Sequence, residues 1–170
     1  ELFYQQYLKE KPDQIFLKSL KNVENEFTWK ETYLNTLKLS QELSSFIENK
    51  DRCLLISENR PEWMISDLAI MLSKGITVPA YTTYVERDYE YLINDCNPSI
   101  VIVSDALQYN KIKNIVKSKP FIKKILSFEE IKDANEVICI KNIFEKKKYQ
   151  EKNLLNLDNS RKEIDCIINN

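Results

Sequence analysis

Hydrophobic residues in this chain fall into short unbroken runs, separated by stretches in which they recur every three or four positions. Two such runs bracket residues 53–84. Cys53-Leu54-Leu55-Ile56 is apolar throughout, the pattern of a strand covered on both faces. Ser57-Glu58-Asn59-Arg60 is a polar turn, and Pro61 sits where a first helical turn tolerates proline. From Trp63 onward, Met64, Ile65, Leu68, Ala69, Met71 and Leu72 make a broad apolar helical face. Gly75 is placed to end that helix with a positive φ, and Ile76-Thr77-Val78 predicts a second strand closed by Pro79. A strand, a helix and a strand in about thirty residues make a βαβ unit, with parallel strands and a right-handed crossover.

The same periodicities organise the flanks. Leu2–Lys9 reads as a short helix, and Gln14–Lys18 and Asn25–Thr28 as two strands joined by a turn at Lys21-Asn22. Thr28 with Glu31 has the form of a capping box, so a helix starts at Trp29 and runs through Leu37, Leu39, Leu43, Phe46 and Ile47. A second box, Thr83 with Glu86, starts a helix carrying Val85, Tyr89, Leu92, Ile93 and Cys96, which Asn97-Pro98 stops. Ser99–Ser104 is a third buried strand. Ala106–Lys117 is a helix with Ile112, Ile115 and Val116 inward, and Phe121–Phe128 and Glu136–Ile140 are further strands. Beyond Lys141 the chain becomes polar: a short helix, a crossing segment, and the start of a strand at Cys166-Ile167-Ile168. The organisation is a leading helix and hairpin over 1–50, an α/β core over 51–140 and a crossing segment over 141–170. The fold class is α/β, a parallel-rich sheet with flanking helices.

Composition narrows the chemistry. With 25 basic and 26 acidic residues in 170, no global field favours nucleic acid. There is one glycine where ordinary usage of about 7% gives roughly a dozen, so no glycine-rich phosphate loop exists within these residues. Histidine, the commonest general base and metal ligand, is absent. Cys53, Cys96, Cys139 and Cys166 form no chelating pair, which predicts four free thiols and no metal. No leader or apolar run of membrane-spanning length is present, and the expected compartment is the cytoplasm.

Three polar stretches lie at the carboxyl ends of predicted parallel strands, where open sheets bind ligands: Ser57–Arg60, Tyr81–Thr83 and Ser104-Asp105. One reading has Arg60 holding a phosphate or carboxylate and the tyrosines lining a pocket. The other has Asn59 and Thr83 capping helices and Arg60 as a surface charge. Trp29 and Trp63 fit the core, while Glu129-Glu130 and Glu86 with Glu90 lie on solvent faces without a burying partner. Lys111–Lys124 carries six lysines and no acid; it reads as a membrane-surface patch or as the solvated face of one helix and one strand.

Ser57-Glu58-Asn59-Arg60-Pro61-Glu62-Trp63, Asp67-Leu68-Ala69 and Gly75-Ile76-Thr77-Val78-Pro79-Ala80-Tyr81-x-Thr83 resemble the amino-terminal part of AMP-forming acyl-CoA synthetases, most of all the long-chain fatty-acid–CoA ligases. The likeness extends from Phe27-Thr28-Trp29-Lys30-Glu31 to Ile100-Val101-Ile102-Val103-Ser104-Asp105. Ahead of Asp51-Arg52 the family usually has a glycine; here Asn49-Lys50 stands, with Asn suited to a left-handed turn. The resemblance implies a partial amino-terminal subdomain of the adenylate-forming synthetase fold. It implies a parent enzyme that uses ATP, Mg²⁺ and coenzyme A to activate a fatty acid, with cofactors, metal and catalytic residues all held beyond Asn170. These 170 residues would then carry no catalytic, cofactor-binding or metal-binding residue and show no activity alone. The strand beginning at Cys166 would lead to the phosphate loop, and apolar surface left bare would make the chain self-associate. The rival expectation is a free-standing α/β binding or interaction module without catalytic activity.

Overall fold

A computed structural model describes residues 11–19 and 26–146. The expected helix at Leu2–Lys9, the turn at Lys21-Asn22, most of the crossing segment and the strand at Cys166 lie outside the described residues. Strands β1 (Ile15–Lys18) and β2 (Glu26–Thr28) form an antiparallel hairpin closed by a Lys18–Glu26 ion pair. Thr28 then caps α1 (Trp29–Leu43) as its spacing predicts. The Glu31 N–H donates to Thr28 Oγ1 at 3.1 Å, and the Thr28 N–H donates to Glu31 Oε2 at 2.8 Å. Trp29 stacks on Phe16 with ring centroids 3.6 Å apart. The helix stops at Leu43 and not at Ile47. The Ser44 and Ser45 hydroxyls take the carbonyls of Ser40 and Glu42, offering the backbone a turn in place of another helical turn.

The core is a five-stranded parallel sheet. Its strands are β3 (Arg52–Ile56), β4 (Ile76–Ala80), β5 (Ile100–Val103), β6 (Lys124–Ser127) and β7 (Val137–Cys139), in the order β4-β3-β5-β6-β7. Helices α2 (Pro61–Leu72), α3 (Glu86–Cys96), α4 (Ala106–Lys117) and α5 (Ile140–Glu145) complete it. Side chains alternate along each strand between two cores. Cys53, Leu55, Ile100 and Ile102 face α1, α2 and α5. Leu54, Ile56, Val101 and Val103 face α3 and α4. The crossover from β3 to β4 moves one way and those from β4 and β5 move the other. Their helices lie on opposite faces, as a single handedness requires.

Within α2, Ile65, Ala69 and Ile70 are buried, whereas Met71 and Leu72 are exposed. The inward stripe is therefore rotated from the expected one, because α2 must meet the sheet on one side and α1 on another. Its ending also differs from expectation. Lys74, not Gly75, adopts the left-handed conformation (φ 63°). The Lys74 N–H bonds Met71 O and the Gly75 N–H bonds Ile70 O, each at 3.0 Å, a Schellman ending with lysine in the glycine place. Gly75 serves close packing instead: a Cβ there would stand 3.0 Å from Ile70 Cγ2 and 3.3 Å from Asp51 O. The same shift occurs before β3, where Lys50 (φ 69°) and not Asn49 takes the left-handed turn. The two turns are hooked together, Lys50 N–H to Lys74 O and Ile76 N–H to Asp51 O, both at 2.8 Å. Those bonds hold a conformation costing about 1–2 kcal/mol for a residue with a Cβ.

Strand β4 runs through Pro79 to Ala80 at the edge of the sheet. Because the Ile76 N–H points inward to Asp51, alternate residues Thr77 and Pro79 point to the open edge, and Pro79 has no N–H to offer. A further strand is thereby discouraged from pairing there.

Exchange of the glycine role is testable by urea unfolding. Lys74→Gly stabilises by about 0.5–1 kcal/mol, since it removes the left-handed cost. Gly75→Ala destabilises by about 1–2 kcal/mol, because Ile70 is buried and cannot yield.

Candidate functional site: the carboxyl edge of the sheet

The connection leaving β3 and the one leaving β5 depart in opposite directions, which makes the carboxyl ends of these neighbours a topological switch point, the place where open α/β sheets bind ligands. Ser57 and Ser104 follow the two strands there, both buried. The Ser104 N–H donates to Ile56 O at 3.0 Å. The Ser57 hydroxyl donates to Glu58 O at 2.7 Å, while Ser104 Oγ has no hydrogen-bond partner among the described residues. By two-residue alternation from Leu55 and Ile102, both hydroxyls project toward α2.

Arg60 dominates this edge. Pro61 occupies the first turn of α2, which makes Arg60 and not Asn59 the residue at the cap, in extended backbone and without a side-chain cap bond. Its guanidinium donates through Nε to Glu62 Oε2 at 2.9 Å and through Nη2 to Glu62 Oε1 at 3.0 Å, a bidentate pair. Nη1 reaches Glu129 at 3.2 Å and Glu58 at 3.4 Å, and the group lies 5.3 Å from the centre of the Phe128 ring. Arg60 and Glu62 side chains are 13% and 11% exposed. Burial alone would lower the arginine pKa, yet the bonds and charges of Glu62, Glu129 and Glu58 together outweigh it and hold the group above its ordinary value. Arg60 is thus neither a free anion receptor nor a surface charge. It is an internal clamp between the β3–α2 turn and the chain after β6, and with three carboxylates to one guanidinium the local field repels anions.

The loop after β4 is fixed from two sides. The Tyr89 hydroxyl donates to Tyr81 O at 2.7 Å, and Lys111 Nζ donates to Thr82 O at 2.6 Å and Tyr84 O at 3.3 Å. Tyr84 meets Tyr81 and Tyr89 edge-on, centroids 5.6 and 5.8 Å away. The cap of α3 is Val85, its N–H donating to Asp88 Oδ2 at 3.2 Å, and not the expected Thr83 with Glu86. Tethering by Tyr89 and Lys111 carries the chain two residues further before helix can begin. At the end of β5, Asp105 caps α4 by accepting from the Gln108 N–H at 2.9 Å. The Tyr109 hydroxyl donates to Glu136 Oε1 at 2.6 Å, and burial, then this bond, push it up to about 12. Burial likewise pushes Tyr89 up to about 12, helped by the charge of Asp88 and by Tyr84.

The remaining candidates are dispersed. Lys123 binds Glu48 and Asp51 at 3.1 and 3.2 Å beside the amino end of β3, and Lys124 sits over the Phe46 ring. Lys111 is tied to the opposite edge, so the lysines of 111–124 do not make one basic face. Glu86, Glu90 and Glu130 are exposed. Cys53 and Cys96 are buried free thiols, Cys53 pushed up to about 12 by burial, and Cys139 is a half-buried one. No group of three metal-ligating side chains occurs among the described residues. Gly75 precedes β4, at the amino end of the sheet, so none of the loops at the carboxyl edge contains glycine. No helix of the described residues is long and apolar enough to cross a membrane.

Comparison with known proteins follows the same outline. A family profile described as AMP-binding enzyme matches residues 4–164. The long-chain-fatty-acid–CoA ligase ACSBG1 of Rattus norvegicus is 27% identical over 84 residues, which are 49% of this chain and 12% of that protein. Long chain acyl-CoA synthetase 4 of Arabidopsis thaliana is 29% identical over 102 residues, 59% of this chain and 15% of that protein. Among solved structures, the anthranilate CoA ligase AuaEII in complex with anthranoyl-AMP superposes with a TM-score of 0.71 at 18% identity, covering 84% of this chain and 27% of that one. A benzoate CoA ligase from Burkholderia xenovorans LB400 gives 0.69 at 14% identity, covering 85% and 27%. At such identities the structures speak for the fold alone, and each match spans a minor part of the longer protein.

Two outcomes follow from the clamp and the buried tyrosine. Arg60→Met removes the bidentate charge partner of the buried Glu62 carboxylate and costs about 3 kcal/mol in urea unfolding, most of which the double variant with Glu62→Leu restores. Tyr109 holds its proton more tightly folded than unfolded, so its contribution to stability is full below about pH 10 and is lost as pH rises toward 12. Tyr109→Phe therefore shows a shallower loss of stability over that range, with Tyr89 and the buried thiols of Cys53 and Cys96 contributing to the slope that remains.

Proposed function

Because the chain belongs to the AMP-binding enzyme family, we propose that it is the amino-terminal portion of a long-chain fatty-acid–CoA ligase. The observation that carries this reading is the family match over residues 4–164, laid on a doubly wound parallel sheet that adenylate-forming ligases share. The substrate class is supported by the curated relatives, whose names specify long-chain acyl groups. In the parent enzyme a fatty-acid carboxylate attacks the α-phosphate of ATP, releasing pyrophosphate and leaving an acyl-adenylate. The thiol of coenzyme A then displaces AMP.

The chain's own part in that reaction is to build one wall. On this reading 51–140 are the α/β core, 1–50 a leading segment whose α1 covers one face of the sheet, and 141–170 the segment expected to lead to the nucleotide-binding part. Triphosphate requires backbone N–H groups that approach closely, with a lysine and, for Mg²⁺, a carboxylate beside them. The carboxyl edge offers no glycine and an arginine already engaged by three carboxylates. The described residues therefore do not fit ATP or Mg²⁺, and no chemical step is assigned to them. On this reading the parent works in the cytoplasm; the lysines of 111–124, held at opposite ends of the sheet, do not supply one face for a membrane surface.

Two measurements test the proposal. The reading frame past Asn170 is expected to contain, within about twenty residues, a turn rich in Ser, Thr and Gly with a Lys. Its protein product is expected to exchange pyrophosphate into ATP in the presence of a long-chain fatty acid. The 170-residue chain alone is expected to show no micromolar MgATP binding by titration calorimetry and no adenylate. A frame without that turn, or tight ATP binding by the chain itself, replaces this reading with a free-standing α/β module.

A further inference from the structure

Two lysines of this chain hold backbone positions that suit glycine. Lys50 (φ 69°) and Lys74 (φ 63°) are left-handed, although Asn49 and Gly75, which take such turns with less strain, stand directly beside them. The two turns are required by the entries to β3 and β4; lysine at their tips is not. Strain kept where a neighbouring residue could relieve it points to a role for the side chain. Both lysines are exposed, and each turn presents a long cation.

The two tips are neighbours on the amino edge of the sheet. The Lys50 N–H donates to Lys74 O and the Ile76 N–H to Asp51 O, each at 2.8 Å, and Arg52 lies in register with Ile76. Two acids of this edge, Glu48 and Asp51, are both taken up by Lys123, at 3.1 and 3.2 Å. Asp95 ends α3 at the same edge, where Arg52 balances it in charge. Lys50 and Lys74 are in no ion pair among the described residues and carry the excess positive charge. Directly beside them, Met71, Leu72 and Ile76 are 51%, 43% and 46% exposed. Met71 O accepts from the Lys74 N–H at 3.0 Å, so the apolar group begins within one turn of the cation. Lysines flanking exposed apolar side chains are the composition of a surface that sits in the headgroup layer of a membrane.

We propose that the amino edge of the sheet docks on an anionic lipid bilayer, with Lys50 and Lys74 against the headgroups and Met71, Leu72 and Ile76 at the acyl boundary. The inference stands on this surface and does not rest on the function proposed above. A cation at the tip of a turn projects, which suits a flat, deformable layer better than the groove a bound peptide needs. Docked in this way, the sheet turns its Arg60 end away from the lipid. The surface is also distinct from Lys111–Lys124, whose lysines are divided between the two edges.

Vesicle sedimentation of the 170-residue chain tests this, with phosphatidylcholine vesicles that contain about 30% phosphatidylserine or none, at about 0.1 M salt. Lys50→Gly with Lys74→Gly removes both cations and relieves both turns, so this variant folds at least as well as the parent sequence. Expected is a partition coefficient on the charged vesicles about 25-fold lower, about fivefold for each lysine. Met71→Gln with Leu72→Gln lowers it about tenfold. Lys132→Gln with Lys141→Gln, an equal loss of charge at exposed positions elsewhere, changes it less than about twofold. No binding of the unaltered chain to charged vesicles, or equal binding to both kinds, overturns the proposal. So does an equal loss in the two lysine pairs, or none for Lys50→Gly with Lys74→Gly. Unchanged binding by Met71→Gln with Leu72→Gln overturns it as well, leaving a site for a soluble polyanion in place of a membrane surface.

Discussion

Strands β3 and β5 are hydrogen-bonded on both sides and covered on both faces, and the rest of the molecule is arranged to meet that demand. Neither strand exposes any side chain from Cys53 to Ile56 or from Ile100 to Val103. A parallel sheet reaches that state only if successive crossovers place helices on both faces. The two separate cores follow from it, and so does the order of strands, since β4 must lie on one side of β3 and β5 on the other. Even the left-handed lysines are consequences. Lys50 and Lys74 bend as they do because the entries to β3 and β4 have to be hooked together at one level.

The same arrangement concentrates polarity at the strand ends. Backbone groups and charges excluded from the interior collect where the strands stop, at the amino edge around Lys123 and at the carboxyl edge around Arg60. At the carboxyl edge the charges are turned against one another, Arg60 being surrounded by Glu58, Glu62 and Glu129. A guanidinium so enclosed stiffens the edge and contributes no anion site. That division suits a chain belonging to the AMP-binding enzyme family whose fold recurs as one part of longer ligases. It supplies a rigid wall, and apolar surface beside that wall.

Much of this was legible in the residues themselves. The apolar runs marked β3, β4 and β5, the three-to-four spacing marked α1, α3 and α4, and Thr28 with Glu31 marked a helix start to the residue. These features answer to interactions within a few positions along the chain, or to burial so complete that every residue of a run must be apolar. The blocks around Ser57–Thr83 carried the family as well, because they encode the turns and packing of that scaffold.

What only the tertiary structure decided were matters settled by residues distant in sequence. Gly75 was read for its conformational freedom, yet its place is set by Ile70 and by Asp51, which lies on a different strand entry. Thr83 with Glu86 has the spacing of a cap, but Lys111 on α4 holds the loop and moves the cap to Val85. Arg60 gave no sign in sequence that Glu129 would close over it, although Pro61 in the first helical turn already pointed to Arg60 at the cap. Periodicity and capping are local chemistry and can be read along a chain. Which carboxylate a guanidinium meets, and where a backbone approaches too closely for a Cβ, depend on how the strands come together.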